Sequence, residues 1–309
     1  MQEKEIKNRP QVLFLGNGLN LAYGSSSWDD LLKEISVRDD IPNDLSCPMP
    51  LKALLYTNND IKSAMDRKKS KLFGTLSTEL QTRVLQLVLS SGFDEILTTN
   101  YSYELEMAAL GKTIEDDLSI KKMADHTAKV KRVESKYLLH SYNKATFNGK
   151  DNRIWHVHGE ARKPDSMILG HYYYANLLGR MVKYTEDNKD RYEKTAKEEQ
   201  ETEINSWLDA FILGDVYVLG FSFDLSEFDL WWLLNRKYRE KAPHGKVWFY
   251  EPAKEGFNEK IELMRLLDVQ IEDCGVRKPD KNDPRKTEIY REFYTEALGM
   301  INERLINTK

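Results

Sequence analysis

The sequence has few cysteines, little net charge and no long apolar run. The only two cysteines, Cys47 and Cys274, lie far apart, so they form neither a paired-cysteine zinc ribbon nor a disulfide framework. The 46 basic and 50 acidic residues leave a net charge of −4, which excludes a generally basic nucleic-acid binder. No apolar run reaches the ~18 residues that a membrane-spanning helix needs.

The first ten residues are charged and lack the apolar centre of a secretory signal. Two isolated cysteines also fit a reducing compartment. We therefore expect a cytoplasmic protein that contacts no membrane and does not bind nucleic acid directly.

Short apolar runs alternate with helical patterns along the chain. Residues 12–15 and 216–219 are apolar throughout, as is typical of strands buried on both faces of a parallel sheet. Further strands are predicted at residues 95–97, 153–158, 167–169, 246–250 and 269–271. Helices are predicted from Trp28 onward, within 51–89 and 172–213, after Phe228, and over 287–305. This alternation predicts one α/β domain over residues 1–309, with a Rossmann-like parallel sheet covered by helices.

Two segments are interpreted as insertions or a helical subdomain. Residues 102–150 are irregular and rich in charge, and residues 172–213 are mostly helical. The stretch 184–203 is so charged that a solvated helix or lid is expected. Residues 102–150 and 184–203 hold few apolar residues. We therefore expect at least one of these two segments to pack on another subunit or a partner protein and to gate entry to the cleft at the strand ends.

Polar segments follow the predicted strands, where parallel sheets bind their ligands. Gly16, Asn17 and Gly18 follow the first strand, and such a loop can bring backbone amides to a phosphate. Gly24 comes too late for a dehydrogenase fingerprint, and a structural turn remains the alternative. After the last buried strands, Gly220 and Ser222 repeat this logic, and Glu251 is either a ribose acceptor or an exposed turn acid.

Asn100 and the histidines supply the candidate chemistry. Asn100 can orient a water or a sugar hydroxyl, or it caps the following helix. His158, directly before Gly159, suits a general base near neutral pH. His156 and His158 lie on one face of the predicted strand, where they could join His171 on a metal. A structural hydrogen-bonded role fits His156 better than His158, and no metal site is predicted.

Five motifs occur in an order that resembles a known family. They are Gly16-Asn17-Gly18, Ser27-Trp28-Asp29-Asp30-Leu31-Leu32, Thr98-Thr99-Asn100-Tyr101, His158-Gly159 and Gly220-Phe221-Ser222-Phe223-Asp224. This order resembles the sirtuin-like NAD-hydrolase domain that bacterial anti-phage defence systems use as an effector. The resemblance implies a Rossmann-like fold that binds NAD as its substrate, needs no other cofactor, and cleaves the nicotinamide–ribose bond.

The resemblance also implies roles for single residues. Asn100 and His158 would form the catalytic pair. The remaining predicted binding residues are Gly16, Asn17, Gly18 and Asn20 on the phosphate and ribose side, Gly220 and Ser222 nearer the adenosine, and Thr98, Tyr101 and Glu251.

Departures from the family pattern favour NAD hydrolysis over lysine deacylation. The paired cysteines of the deacylase zinc module are missing, and Ser102 stands where relatives often carry Asp. A nucleotide-sensing module without turnover and a protein-lysine deacylase remain the alternatives. Because no sensor domain is recognisable, we expect activation by oligomerisation or by a separate sensor protein.

Overall fold

The computed structural model describes residues 9–42, 45–68, 78–111, 130–133, 135, 138–161, 163–197, 202–240 and 245–307. The strands are β1 (Gln11–Leu15), β2 (Glu95–Thr98), β3 (Val130–Val133), β4 (Tyr142–Phe147), β5 (Lys150–His156), β6 (Asp215–Leu219), β7 (Val247–Tyr250) and β8 (Val269–Glu272). The helices of these ranges are α1 (Gly18–Ala22), α2 (Trp28–Ile35), α3 (Met49–Thr57), α4 (Ile61–Lys68), α5 (Glu79–Ser90), α6 (Glu104–Leu110), α7 (His171–Asp187), α8 (Lys189–Ala196), α9 (Trp207–Leu213), α10 (Phe228–Arg239), α11 (Glu259–Leu266) and α12 (Lys286–Asn307).

All eight strands form one sheet in the order β3-β4-β5-β2-β1-β6-β7-β8. The strands from β5 to β8 in this order are parallel, whereas β3 and β4 pair antiparallel at one edge. Every residue of β1 and of β6 is buried, because helices cover both faces of the sheet. The predicted α/β fold with a helix-covered, mainly parallel sheet is confirmed, and the antiparallel edge was not predicted.

That edge lies in the segment 102–150, which the sequence presented as an irregular insertion. Its described parts contain α6, β3 and β4, while residues 112–129 lie outside the described ranges. The polar composition was misleading because Glu104 and Glu106 of α6 are buried. Asn143 of β4 donates to Glu106 over 2.8 Å, so acids that suggested a solvated segment form part of the interior.

The predicted strand at residues 167–169 is wrong, and β5 begins three residues earlier and ends two residues earlier than the predicted strand 153–158. The amide of Ile168 donates to the His158 carbonyl over 2.7 Å, and the Ile168 carbonyl accepts from the Tyr101 hydroxyl over 2.7 Å. These two bonds hold residues 167–169 in a buried connection, and these residues do not pair with a strand of the sheet. Because β5 ends at His156, residue 158 lies in a turn, where the alternation of strand side chains no longer applies.

The charged stretch 184–203 is anchored along one side rather than solvated all round. Asp209 of α9 accepts from the hydroxyls of Tyr184 and Tyr192 over 2.9 and 2.8 Å. Arg191 forms an ion pair with the same carboxylate at 2.5 Å. Tyr192 is fully buried, which a purely solvated helix does not allow. Residues 198–201 of this stretch lie outside the described ranges.

The strand order reverses beside β1, because β2 lies on one side of it and β6 on the other. The loops that follow β1 and β6 touch there. The amide of Gly16 donates to the Leu219 carbonyl over 3.0 Å, and that of Gly18 donates to the Gly220 carbonyl over 2.7 Å. A Cβ atom on residue 16 would lie 2.4 Å from the Gly220 oxygen, so only glycine permits this approach.

No helix within the described ranges is both long and apolar enough to cross a membrane.

Replacing Gly16 tests the contact between the loops that follow β1 and β6. We expect Gly16→Ala to lower the free energy of unfolding by ~1–3 kcal/mol, because backbone atoms must move to admit the methyl group. Urea denaturation measures the change. Gly179→Ala in α7 is the matched control, since a Cβ there meets no atom within 4 Å. This substitution should raise the free energy of unfolding by ~0.5–1 kcal/mol. Equal effects of both substitutions would contradict a tight loop contact.

Candidate functional site

An open cleft of about 510 Å³ lies where β1, β6 and β7 end, against α12. We call it the switch cleft, because it lies at the reversal of strand order where open α/β sheets bind ligands. It is lined by Gly18, Leu21, Ala22, Ser27, Gly220, Phe221, Ser222, Tyr250, Glu251, Pro252, Lys278, Lys286, Thr287, Tyr290, Phe293 and Tyr294. Four of the predicted binding residues thus share this cleft: Gly18, Gly220, Ser222 and Glu251.

Glu251 is ion-paired at the rim of the switch cleft. One carboxylate oxygen contacts the ammonium of Lys260, and the other lies 3.3 Å from that of Lys278. Lys260 also donates to the Ser222 carbonyl over 2.9 Å, which ties the loops after β6 and β7 together. Glu251 is therefore not an isolated exposed acid. Each of its oxygens keeps a second lone pair with which to accept a ligand hydroxyl.

The switch cleft is not lined by the other predicted binding residues near the end of β1, namely Gly16, Asn17 and Asn20. Gly16 packs against Phe221, where a Cβ would meet its atoms at 2.6–2.7 Å. The Asn17 side chain donates to the Ser26 carbonyl over 2.9 Å. Asn20 is buried, and its side-chain oxygen accepts from Gln81 over 3.1 Å. Asn17 and Gly16 thus support the loop, whereas Asn20 faces a second, smaller cavity.

That second space, which we call the polar cavity, lies beside the ends of β2 and β5. It is lined by Leu15, Asn20, Leu85, Thr98, Asn100, Ser102, Glu104, Leu105, Glu106 and His156. The Asn100 carboxamide forms no hydrogen bond with the described residues. The helix-cap interpretation of Asn100 is wrong, because α6 begins at Glu104 with Tyr103 at its N-cap. Asn100 is therefore available to a ligand.

Thr98, Tyr101 and Ser102 each have a hydrogen-bond partner within the protein. The Thr98 hydroxyl accepts from the Asn100 amide over 3.1 Å and so shapes the turn. Tyr101 is buried, and its hydroxyl is used by the Ile168 carbonyl. Ser102 donates to Glu104 over 2.5 Å. Burial raises the pKa of Glu104, so a carboxyl group with a raised pKa stands in the polar cavity beside Asn100.

His156 is held at both ring nitrogens. Its Nδ1 lies 2.6 Å from the Asn100 carbonyl, and its Nε2 lies 3.0 Å from Glu106 Oε1. Burial disfavours the charged ring, but the Glu106 carboxylate outweighs it and the pKa of His156 rises to about 9. With neither nitrogen free, the geometry supports the structural interpretation of His156.

His158 is fully buried and has a different environment. Its Nε2 lies 2.8 Å from Asp229 Oδ2 and 4.0 Å from Glu227 Oε2. Tyr174 of α7 donates to Glu227 over 3.0 Å, and its ring centroid lies 5.3 Å from that of His158. Burial alone would lower the pKa of His158, but the Asp229 and Glu227 carboxylates raise it overall.

The backbone conformation of residue 159 explains why a glycine follows His158. Its φ is +88°, and a Cβ there would lie 2.1 Å from the Ser166 carbonyl oxygen. Only glycine lets the chain turn this closely beneath residues 164–167. The turn fixes the backbone of His158.

The two histidines do not converge, so the suggested joint metal site is not formed by them. His156 points to α6 and His158 to α10, and His171 is exposed. Among the described residues, His158, Glu227 and Asp229 form the cluster whose donor atoms lie within 4.8 Å of one another. The 2.8 Å contact between His158 and Asp229 is that of a charge-assisted hydrogen bond.

Asn100 and His158 lie at the ends of neighbouring strands. Thr98 of β2 is paired with His156 of β5, and each candidate follows its strand by two residues. The lining of the polar cavity includes Asn100 and His156 but not His158. The structure therefore brings both candidates to one edge of the sheet without placing them in one cavity.

Sequence reasoning missed Asp229, Glu227 and Tyr174. Acids at the start of a helix are common partners of its dipole, so Asp229 gave no signal of its own. It lies 71 residues from His158 along the chain. Only the fold brings the two together.

The His156–Glu106 pair gives a pH prediction. The pKa of His156 is raised from 6.5 to about 9 in the folded protein, so the folded state binds this proton more tightly. The stabilisation is complete below about pH 6.5 and is lost as the pH rises through about 9. Between these pH values, the free energy of unfolding of the wild type should fall by ~1–3 kcal/mol more than that of His156→Gln in urea denaturation. His171→Gln, an exposed control, should retain the wild-type slope; a wild-type slope in His156→Gln would contradict the charged pair.

Comparison with known proteins identifies the family of the chain. No curated protein matches the chain. The SIR2-like domain matches residues 94–272, a range that includes Asn100, His158, Gly220 and Asp229 but not the loop after β1. This match supports an NAD-related function of the sirtuin superfamily. Because it covers more than half of the 309 residues, the chain belongs to the SIR2-like domain family.

Proposed function

We propose that the protein is an NAD glycohydrolase that converts NAD and water to ADP-ribose and nicotinamide. One observation carries this proposal: Asn100 and His158 each follow, by two residues, the neighbouring strands β2 and β5, and β2 pairs with β1, where the strand order reverses and the switch cleft opens. Nδ1 of His158 has no partner within the described chain. The hydrogen bonds that Asn100 forms with the described residues use its backbone amide and carbonyl rather than its carboxamide. Asn100 lines the polar cavity, whereas the buried His158 ring must be uncovered before its Nδ1 can meet a substrate.

The reaction demands little covalent work of the protein. The bond between C1′ of the ribose and the nicotinamide nitrogen breaks, and its electron pair leaves with nicotinamide. A water oxygen then bonds to C1′, and the water loses a proton. In our proposal Asn100 orients this water or a ribose hydroxyl, and His158 accepts the proton.

The cysteines favour hydrolysis over deacylation. Cys47 and Cys274 are both free, and the sequence has no other cysteine with which to build a paired-cysteine zinc module. Deacylation would require an acylated lysine for nicotinamide release. A nucleotide sensor would bind NAD and leave it intact. These alternatives differ in products that one assay distinguishes.

Nicotinamide release from NAD tests the proposal. We expect the active protein to release nicotinamide and ADP-ribose from NAD without an acylated peptide, as measured by chromatography. Asn100→Ala and His158→Ala should each lower kcat by ~10²–10⁴-fold, because each removes a well-placed group. His171→Ala, which changes an exposed histidine, is the matched control and should keep full activity.

Other outcomes would point to the alternatives. Nicotinamide release only with an acylated lysine peptide would identify a deacylase. Tight NAD binding without products in the active assembly would identify a sensor.

We further propose that the protein is an effector of anti-phage defence that depletes NAD after activation. The complete burial of His158 beneath Tyr174 and Glu227 supports a resting state that needs rearrangement. In this proposal, activation comes from self-association or from a separate sensor protein.

Self-association predicts that the specific NADase activity rises with protein concentration, in parallel with the mass found by light scattering. A constant low activity would assign activation to a separate protein. Full activity in a dilute monomer would contradict both routes.

A further inference from the structure

The strongest unexplained feature of the site is the free nitrogen of His158. The ring is fully buried, yet Nδ1 has no hydrogen-bond partner among the residues that the structure describes. A buried polar atom without a partner is costly, so such an atom in a native protein points to a ligand or a function. Nε2 is already used by Asp229 at 2.8 Å.

The partner at Nε2 determines where the ring proton resides. An ionised carboxylate can only accept a hydrogen bond, so Nε2 must carry the proton that points to Asp229 Oδ2. In the neutral ring the lone pair is then on Nδ1. The other nitrogen of the same ring is therefore the one able to accept a proton.

We propose that Asp229 is a positioning residue: it holds His158 in the Nε2–H tautomer, so that Nδ1 is the atom that takes the proton from the attacking water or a ribose hydroxyl. This inference rests on the proposed NAD hydrolysis. Nicotinamide departs with the electron pair of the C1′–nitrogen bond, and the water oxygen then bonds to C1′ while its proton moves to Nδ1. Where a ribose hydroxyl is the donor, Nδ1 takes the proton of that hydroxyl and the water still supplies the oxygen that bonds to C1′. Asp229 does not touch the substrate, and it stabilises the imidazolium that results.

The surroundings of His158 support this division of roles. Asp229 and Glu227 face the ring from α10 and the residue before it, Tyr174 faces it from α7, and Tyr101 lies near both acids. Glu227 is 4.0 Å from Nε2 and accepts from Tyr174 instead. Of the described residues, Asp229 alone lies at hydrogen-bond distance from Nε2, so we assign the fixing of the tautomer to Asp229.

A measurement without substrate tests the tautomer directly. The chain has six histidines, and His158→Gln identifies the NMR signals of His158 in ¹⁵N-histidine-labelled protein. We expect neutral His158 to carry its proton on Nε2. A proton on Nδ1 would overturn the proposal. Because no NAD is present, this outcome is independent of whether the proposed function is right.

Kinetics test the consequence for catalysis. His158 must be neutral to accept a proton, so kcat should rise as the pH increases through its pKa. Asp229→Asn removes the negative charge and should move this rise to lower pH by ~1–3 pH units. Asp229→Leu, which also removes the acceptor, should lower kcat ~10²-fold or more with little change in KM.

Asp209→Asn is the matched control, because Asp209 is equally buried but bonds Tyr184, Tyr192 and Arg191 instead. It should lower thermal stability without moving the pH profile. Equal pH profiles for the wild type and Asp229→Asn, or a matching shift in Asp209→Asn, would reduce Asp229 to a structural role. Stoichiometric Zn²⁺ binding to the wild type that Glu227→Gln and Asp229→Asn both abolish would replace the proposal with a metal site.

Discussion

The site depends on the close approach of the loops that follow β1 and β6. Two backbone hydrogen bonds join them, and the approach leaves no room for a Cβ on Gly16. Because the strand order reverses at β1, this contact lies between two regions of the site. The switch cleft opens on one side of it, and the ends of β2 and β5 lie on the other. The glycines of the first loop therefore act mainly through backbone packing, and Gly18 alone of that loop also lines the cleft.

His156 and His158 show how two identical side chains, two residues apart, acquire different roles. β5 ends at His156, so His156 keeps a strand position and reaches Glu106 and the Asn100 carbonyl. The turn at Gly159 directs His158 to Asp229 instead. One ring has both nitrogens occupied and the other has one free. The environment of each ring, rather than its residue type, determines which is available for chemistry.

The parts of the fold that depend on local pattern were predictable from the sequence. The apolar runs predicted β1 and β6. The helix predicted from Trp28 is confirmed, and Ser27 forms a capping box with Asp30 at its N-terminus. The antiparallel edge was missed because the buried acids of α6 resembled a solvated surface. Asp229 was missed because its partner is distant in sequence, and tertiary pairing leaves no periodic signal.

The charged side chains distinguish two regions along the carboxyl ends of the parallel strands. The buried carboxyl groups of Glu104, Glu106 and Asp229 and the half-buried one of Glu227 gather near the ends of β2 and β5. In contrast, Lys260, Lys278 and Lys286 lie at or line the switch cleft around Glu251. A nicotinamide dinucleotide has the complementary polarity, with a cationic pyridinium and anionic phosphates. Carboxyl groups at the reacting end would also favour the positive charge that develops on the ribose as nicotinamide leaves. In the proposed hydrolysis, this polarity would favour an orientation with nicotinamide toward Asn100 and His158 and adenosine toward α12.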